Sequence, residues 1–325
     1  MKVLSMRIVS MSNLGIIALC LFASICSLHA MDKPAADSQR GEYKIISTGT
    51  ITGPAWDRIT EFAKKHGASC FALFDIDDTA MTSVPPYCRN GDVFGPVLDY
   101  LEAQPNADEL KKVLFTGLEY RPVEEEFPAL LPTLKSYGSK VWGLTARGVG
   151  NLTATQSVED FVHRKLTSDA VGVHFDQHDL KLHILKKDPE RNAFKHGIAF
   201  CHPYTKGFVL RKIIEQWGEQ PEGIIMIDDV LENLTNIRDE LKKHRKKTGR
   251  PISFLGVHYR AAAERLDNTV NFAHVGKQVG ILVHHSKYCP WGSADAEWER
   301  LGYDGGAFDK VIAGYAAAES GATQN

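Results

Sequence analysis

No excess of charge of either sign marks this sequence: 38 Lys and Arg stand against 40 Asp and Glu, a formal net charge of −2. A dedicated nucleic-acid binder carries a clear basic surplus, so the balance argues against that class. No internal repeat is visible, and 27 Gly and 14 Pro are far too few for a collagen-like chain. No Cys-x-x-Cys pair occurs, which removes the common thiolate zinc sites. No apolar run reaches the roughly 18–20 residues of a membrane-spanning helix, so a many-pass membrane protein is excluded. With 43% hydrophobic residues the chain is not disordered either. What remains is an ordinary globular protein of 325 residues, either one large domain or a core domain with an insert.

The first 30 residues read as a secretory signal peptide. Lys2 and Arg7 form a basic start, Leu14 to Leu28 is an uncharged apolar run, and a polar stretch follows His29-Ala30. Cleavage is expected after Ala30, which makes the product exported, periplasmic or secreted, with no further membrane span. An uncleaved anchor is the alternative. Residues 31–325 then carry the fold and four cysteines, Cys70, Cys88, Cys201 and Cys289. Four cysteines allow three disulfide connectivities, and the spacing chooses none of them.

Along the mature chain, short apolar runs alternate with helical patterns. Strands are expected at Cys70–Ile76, Lys140–Leu144, Gly197–Cys201, Gly223–Ile227 and Ile252–Val257, with weaker candidates at Val171–Phe175 and Leu180–Leu185. Helices are expected at Trp56–Lys65, Ala107–Leu114, Pro128–Tyr137, Val158–Leu166, Gly207–Trp217, Leu231–His244, Ala261–Arg265 and Ala294–Leu301. Buried strands alternating with helices make an α/β fold, a parallel sheet flanked by helices on both faces. Such sheets bind ligands beyond the carboxyl ends of their strands.

Four of the strand ends carry suggestive chemistry. The first ends in Asp75-Ile76-Asp77-Asp78-Thr79, where carboxylates at i and i+2 leave the strand on one side. One could attack phosphorus while the other moves a proton, or the group could be an acidic turn. The second ends in Thr145-Ala146-Arg147, a hydroxyl for a phosphoryl oxygen or a helix cap. The third leads to Lys206 at a helix start, where a cation is disfavoured unless it has an anionic partner. The fourth ends in Asp228-Asp229 with Glu232 a turn later, oxygen donors that suit Mg²⁺ or an N-cap.

In order and placement these four elements resemble the motifs of the haloacid dehalogenase-like (HAD) superfamily. The apolar strand with Asp-x-Asp-x-Thr matches Phe71 to Thr79, the second motif Thr145, the third Lys206 rather than its neighbours Lys195 and Lys212, and the fourth Asp228-Asp229 or Asp228 with Glu232. The resemblance implies that the second aspartate, Asp77, marks phosphatases and phosphomutases; the run Asp75 to Tyr87 and Thr145-Ala146-Arg147 are similar to exported bacterial acid phosphatases, and the whole to an uncharacterised family of exported bacterial HAD-like proteins. The resemblance implies a Rossmann-like core with a helical cap insertion. It implies Asp75 as nucleophile, Asp77 as acid and base, and Thr145 and Lys206 on the phosphoryl oxygens. It also implies Mg²⁺ bound through Asp75, the backbone carbonyl of Asp77, Asp228, and Asp229 or Glu232. The expected activity is a Mg²⁺-dependent phosphomonoesterase acting on a small phosphorylated substrate. A phosphotransferase or phosphomutase on the same core, and a non-catalytic secreted binding protein, stay open.

Asp75 and Thr145 are 70 residues apart, about twice what a single strand–helix–strand passage needs. The excess predicts a cap insertion at about 80–137. Of the histidines, His174, His178 and His183 are expected on the surface or in strands rather than on a metal. The run Lys242–Lys247 suits a helix carboxyl end.

Overall fold

The computed structural model describes residues 41–84, 97, 100–152, 156–178, 180–184, 192–218, 220–265, 272–287 and 294–301. The expected signal peptide, Cys88, Cys289 and part of the expected insert lie outside them. In chain order the elements are β1 (Tyr43–Thr48), α1 (Pro54–His66), β2 (Cys70–Phe74), β3 (Met81–Val84), α2 (Ala107–Gly117), β4 (Glu119–Pro122) and α3 (Phe127–Ser136). Then come β5 (Lys140–Gly148), α4 (Val158–Leu166), β6 (Phe194–Lys195), β7 (Ile198–His202), α5 (Lys206–Gln216) and β8 (Gly223–Asp228). The last are α6 (Leu231–Thr248), β9 (Ser253–Tyr259), α7 (Ala261–Arg265), α8 (Phe272–His285) and α9 (Ala294–Leu301).

Seven strands make one sheet in the order β1-β9-β8-β2-β5-β7-β6. Every pairing in it is parallel except the short edge strand β6 against β7. The central strand β2 is apolar at all five positions and wholly buried, as a strand covered on both faces must be. Its side chains split by the two-residue period of a strand. Ala72 and Phe74 join one core with Ile225, Ile227 and Val257. Phe71 and Leu73 join the other with Ile224, Met226 and Phe254. The first face is covered by α1, α3, α4 and α8 through Ile59, Leu131, Val162 and Val279. The second is covered by α5 and α6 through Ile213 and Leu241. Each such fully buried aliphatic or aromatic side chain stabilises the fold by about 1.5–3 kcal/mol relative to exposure. The result is a Rossmann-like α/β core.

All five expected strands of the core are present. Two more join them, β1 and β6, both at the sheet's edges. β1 is only half-buried and reads YKIIST, a pattern with too little apolar contrast to separate it from the polar stretch before it. The weaker candidates at 171–175 and 180–184 form no ladder: the Val173 amide bonds the Leu166 carbonyl and the Leu182 amide bonds the Asn192 side chain. Their apolar residues are nevertheless core, which is why they read as strands. Helix α8 was not expected; Val275, Val279 and Leu282 sit on its buried side.

Between β2 and β5 the chain leaves the sheet. β3 and β4 pair antiparallel, Met81 opposite Pro122 through Val84 opposite Glu119, with α2 in the intervening segment. The expected insertion at 80–137 is thus a mixed structure. Its last helix, α3, belongs to the sheet's covering layer, because Phe127, Leu131 and Leu134 are core. At the foot of the insert the buried carboxylate of Glu124 accepts from the Thr50 hydroxyl (2.7 Å), the Ile51 amide and the Tyr259 hydroxyl.

Among the described residues no helix is long and apolar enough to cross a membrane. Cys70 and Cys201 are buried free thiols. Burial pushes the Cys70 thiol up to about 12, which keeps it protonated.

Candidate active site

Strand register brings the acidic residues together. Phe74 lies opposite Ile227, so Asp75 and Asp228 leave adjacent strands at the same level. The Asp75 amide donates to the Ile227 carbonyl (2.9 Å) and locks that alignment. Asp75 is 6% exposed and Asp228 fully buried. Together with Asp229 they present carboxylate oxygens within 4.8 Å of one another.

Lys206 lies between two of them. Its Nζ is 2.6 Å from Asp75 Oδ1 and 2.6 Å from Asp228 Oδ2, and the side chain is 2% exposed. It opens α5 immediately after the N-cap Thr205, whose Oγ1 accepts from the Phe208 amide (3.4 Å). A cation at that end of a helix opposes the dipole, and the two carboxylates reverse the balance. Burial draws the ammonium down, but Asp75 and then Asp228 outweigh it, so Lys206 is held above its ordinary range and stays charged. The helix start is positioned by Gly207. A Cβ there would meet Asn236 Oδ1 at 2.5 Å and its carbonyl at 2.9 Å, and the Gly207 amide donates to that same Oδ1 (3.0 Å). Lys195 and Lys212 are engaged elsewhere, with Asp160 and Glu215.

The remaining oxygen of Asp228 accepts from the Val230 amide (2.9 Å) and from Asn233 Nδ2 (3.0 Å). Asn233 was not expected. Glu232, proposed as a supporting ligand, is exposed and outside the acidic trio. The helix rotates residue 233, not 232, toward the strand end. The backbone carbonyl of Asp229 is in turn bonded to His258 Nε2 (3.0 Å).

Three carboxylates against one ammonium leave a surplus of negative charge in a buried place. Burial pushes the Asp75 carboxyl well above the usual carboxylate range; Lys206 opposes this, while Asp228, Asp229 and Asp77 add to it. Asp229 is pushed up to about 7 by burial, then by Asp228 and Asp78, against the pull of Lys206.

Asp77 stands apart from the trio. Its two oxygens accept from Arg147 Nε (2.8 Å) and Nη2 (2.6 Å). The Arg147 guanidinium also lies over the Phe115 ring of α2, 5.6 Å from its centre. Arg147 thus pairs with Asp77 at the cavity's edge rather than standing as an isolated surface charge. Thr145 is buried at the end of β5, and its Oγ1 accepts from the Arg147 amide (3.2 Å). Ala146, Arg147 and Gly148, rather than Thr145, line the cavity there. Asp78 is a turn residue, with φ +53°, an amide bonded to the Met81 carbonyl and a carboxylate accepting from Thr82.

These groups open into a cavity of about 830 Å³. Asp75, Asp229 and Lys206 lie at one end, and Ser83, Lys111, Phe115 and Tyr120 of the insert line the other parts. The trio is the only metal-competent cluster of its kind among the described residues; His174, His178 and His183 form none. His178 packs against Trp142 and Trp217.

The profile of a family described as a protein of unknown function (DUF2608) matches residues 52–279 of this chain. No curated protein and no solved structure matches it.

Proposed function

The chain belongs to the DUF2608 family, and from its own site we propose that it is a Mg²⁺-dependent phosphomonoesterase of HAD-like type, exported from the cell, working through an aspartyl-phosphate. The observation that carries this reading is Lys206, buried and 2.6 Å from both Asp75 and Asp228. A lysine so placed screens a nucleophilic carboxylate and can hold an incoming phosphoryl oxygen.

The donor set fits Mg²⁺. It is all oxygen and carries more negative charge than Lys206 balances, and hard cations of this kind take carboxylates. Asp75, Asp228 and Asp229 would hold the ion, which when bound supplies charge neutralisation on the transferring phosphoryl group.

The chain's own groups divide the work. A carboxylate oxygen of Asp75 forms a bond to phosphorus as the bond from phosphorus to the leaving oxygen breaks. Asp77 gives its proton to that oxygen, so the product alcohol departs neutral. Asp77 then takes a proton from water, whose oxygen attacks phosphorus and releases inorganic phosphate and the Asp75 carboxylate. Arg147 holds Asp77 in position for both transfers. Asn233 and the Val230 amide orient Asp228, which holds Lys206.

The test is hydrolysis of an aryl phosphate by the mature protein at pH 5–8, with Mg²⁺ and with EDTA. Turnover that needs the metal and is lost in Asp75→Asn, with the fold intact by circular dichroism, is the expected result. Wild-type-like turnover in that variant would sink the mechanism. No turnover and no Mg²⁺ binding would leave a binding protein on the same fold.

A further inference from the structure

The cavity's wall differs in kind from its floor. Beyond the acidic end it is built from Phe115, Leu118 and Tyr120 of the insert and from Leu152, Val158 and Phe161 on the far side of β5. Leu118, Tyr120, Leu152 and Phe161 are each at most 8% exposed, so packing holds this part of the wall in place. A volume of about 830 Å³ is that of a pocket for a whole small molecule, far beyond one phosphoryl group.

The cations around this wall already have carboxylate neighbours. Lys111 is paired with Glu102 (3.4 Å) and Asp108 (3.6 Å), and Lys112 with Glu109 (4.0 Å). Arg147 is committed to Asp77. Against Phe115, Leu118 and Phe161 a polyol or sugar would press its hydroxyls on apolar side chains, where unbonded polar groups are costly. Polar groups also reach the cavity: Thr82, Asn151 and Asn233 line it, and the Ser83 hydroxyl, 5% exposed, has no hydrogen-bond partner in the protein. Because Arg147 spans from Asp77 to the Phe115 ring, the apolar wall begins beside the group that protonates the leaving oxygen.

We propose that the substrate is a phosphomonoester whose leaving group carries a flat apolar ring, seated against Phe115, Leu118 and Phe161. This rests on the phosphomonoesterase reading above and adds the substrate class to it.

The experiment compares benzyl phosphate with ethyl phosphate and glycerol 1-phosphate on the Mg²⁺-loaded protein. Benzyl alcohol and ethanol are of similar acidity and glycerol is the more acidic, so a benzyl advantage over both reports how the leaving group is bound. Benzyl phosphate is expected to exceed both in kcat/KM by about tenfold or more, the value of burying one ring. Phe115→Ala is expected to lower the benzyl-to-ethyl ratio about tenfold, mainly through KM. Equal kcat/KM for the three esters, or an unchanged ratio in Phe115→Ala, overturns the proposal. A parallel calorimetric measurement uses benzylphosphonate and methylphosphonate. If no ester turns over but benzylphosphonate binds more tightly and Phe115→Ala abolishes the difference, the pocket assignment stands and the hydrolase reading falls. No turnover and no selectivity between the phosphonates overturns both.

Discussion

Arg147 grips both carboxylate oxygens of Asp77, at 2.6 and 2.8 Å, while its guanidinium lies over Phe115. A planar fork on a carboxylate fixes the plane as well as the position of that group. On the proposed mechanism Arg147 is therefore a positioning residue that ties Asp77, the proposed acid, to a ring of the insert. Arg147→Lys keeps the charge but loses the fork. It is expected to slow hydrolysis of alkyl phosphates about tenfold or more. p-Nitrophenyl phosphate, whose leaving group needs no proton, should be slowed much less. A plot of rate against leaving-group pKa for both proteins reads this directly, and parallel lines would refute it.

Lys206 and Asp75 respond oppositely to removal. Lys206→Met leaves two buried carboxylates without their cation, and breaking a buried ion pair costs about 3–5 kcal/mol. Asp75→Asn removes one charge from a crowded acidic cluster and relieves repulsion that Asp75 shares with Asp228 and Asp229. Urea unfolding in EDTA should show the first variant strongly destabilised and the second near wild type or above it.

If the trio holds Mg²⁺ as proposed, protons compete with it there. In the metal-free protein Asp229 is half-protonated at about pH 7 because burial and Asp228 raise it. Below that pH a cation must displace the proton, and above it the carboxylate is already bare. Affinity should therefore rise with pH through 7, with proton release on binding at pH 6.5 that shrinks by pH 8.5. Calorimetry in two buffers of different ionisation heat measures this; affinity independent of pH from 6 to 8 would remove Asp229 from the site.

Neighbouring positions on α6 separate helix geometry from simple charge. Asn233→Ala strips a hydrogen bond from buried Asp228 and is expected to cost about 1–3 kcal/mol, with weaker Mg²⁺ binding. Glu232→Gln, on the exposed side, should stay within about 0.5 kcal/mol of wild type. Thermal unfolding with and without Mg²⁺ distinguishes the two, and equal effects would contradict the assignment.

Gly207→Ala inserts a methyl where Asn236 already stands at 2.5–2.9 Å. Overpacking of this sort costs about 1–3 kcal/mol, and it displaces the start of α5 that carries Lys206. Both stability and kcat should fall together. A kcat loss at unchanged stability would place the effect elsewhere.

The core strands were legible because a strand buried on both faces has to be apolar, as Cys70–Phe74 is throughout and Gly223–Asp228 is up to its last residue. The acidic trio was legible because each of its members directly follows or ends such a strand. Edge strand β1 was not, since its residues alternate only weakly. Asn233 was missed because one residue of helical phase decides between it and Glu232, and charge alone favoured the wrong one. The partner of Arg147 was also hidden: Asp77 is 70 positions away, and only the sheet's strand order makes them neighbours. The mixed character of the insert escaped too, because its short strands Met81–Val84 and Glu119–Pro122 stabilise only each other.

Those two short strands pair directly, Met81 opposite Pro122, so the excursion leaves and rejoins the core at adjacent points. A segment spliced in this way is a cassette. Lengthening, shortening or exchanging it does not require the sheet to open or any strand to change neighbours. Asp75, Lys206, Asp228 and Asp229 all lie outside the cassette, while Phe115, Leu118 and Tyr120 lie within it. Descendants of one ancestral chain could therefore diverge in what they accept while inheriting the same reacting groups unaltered.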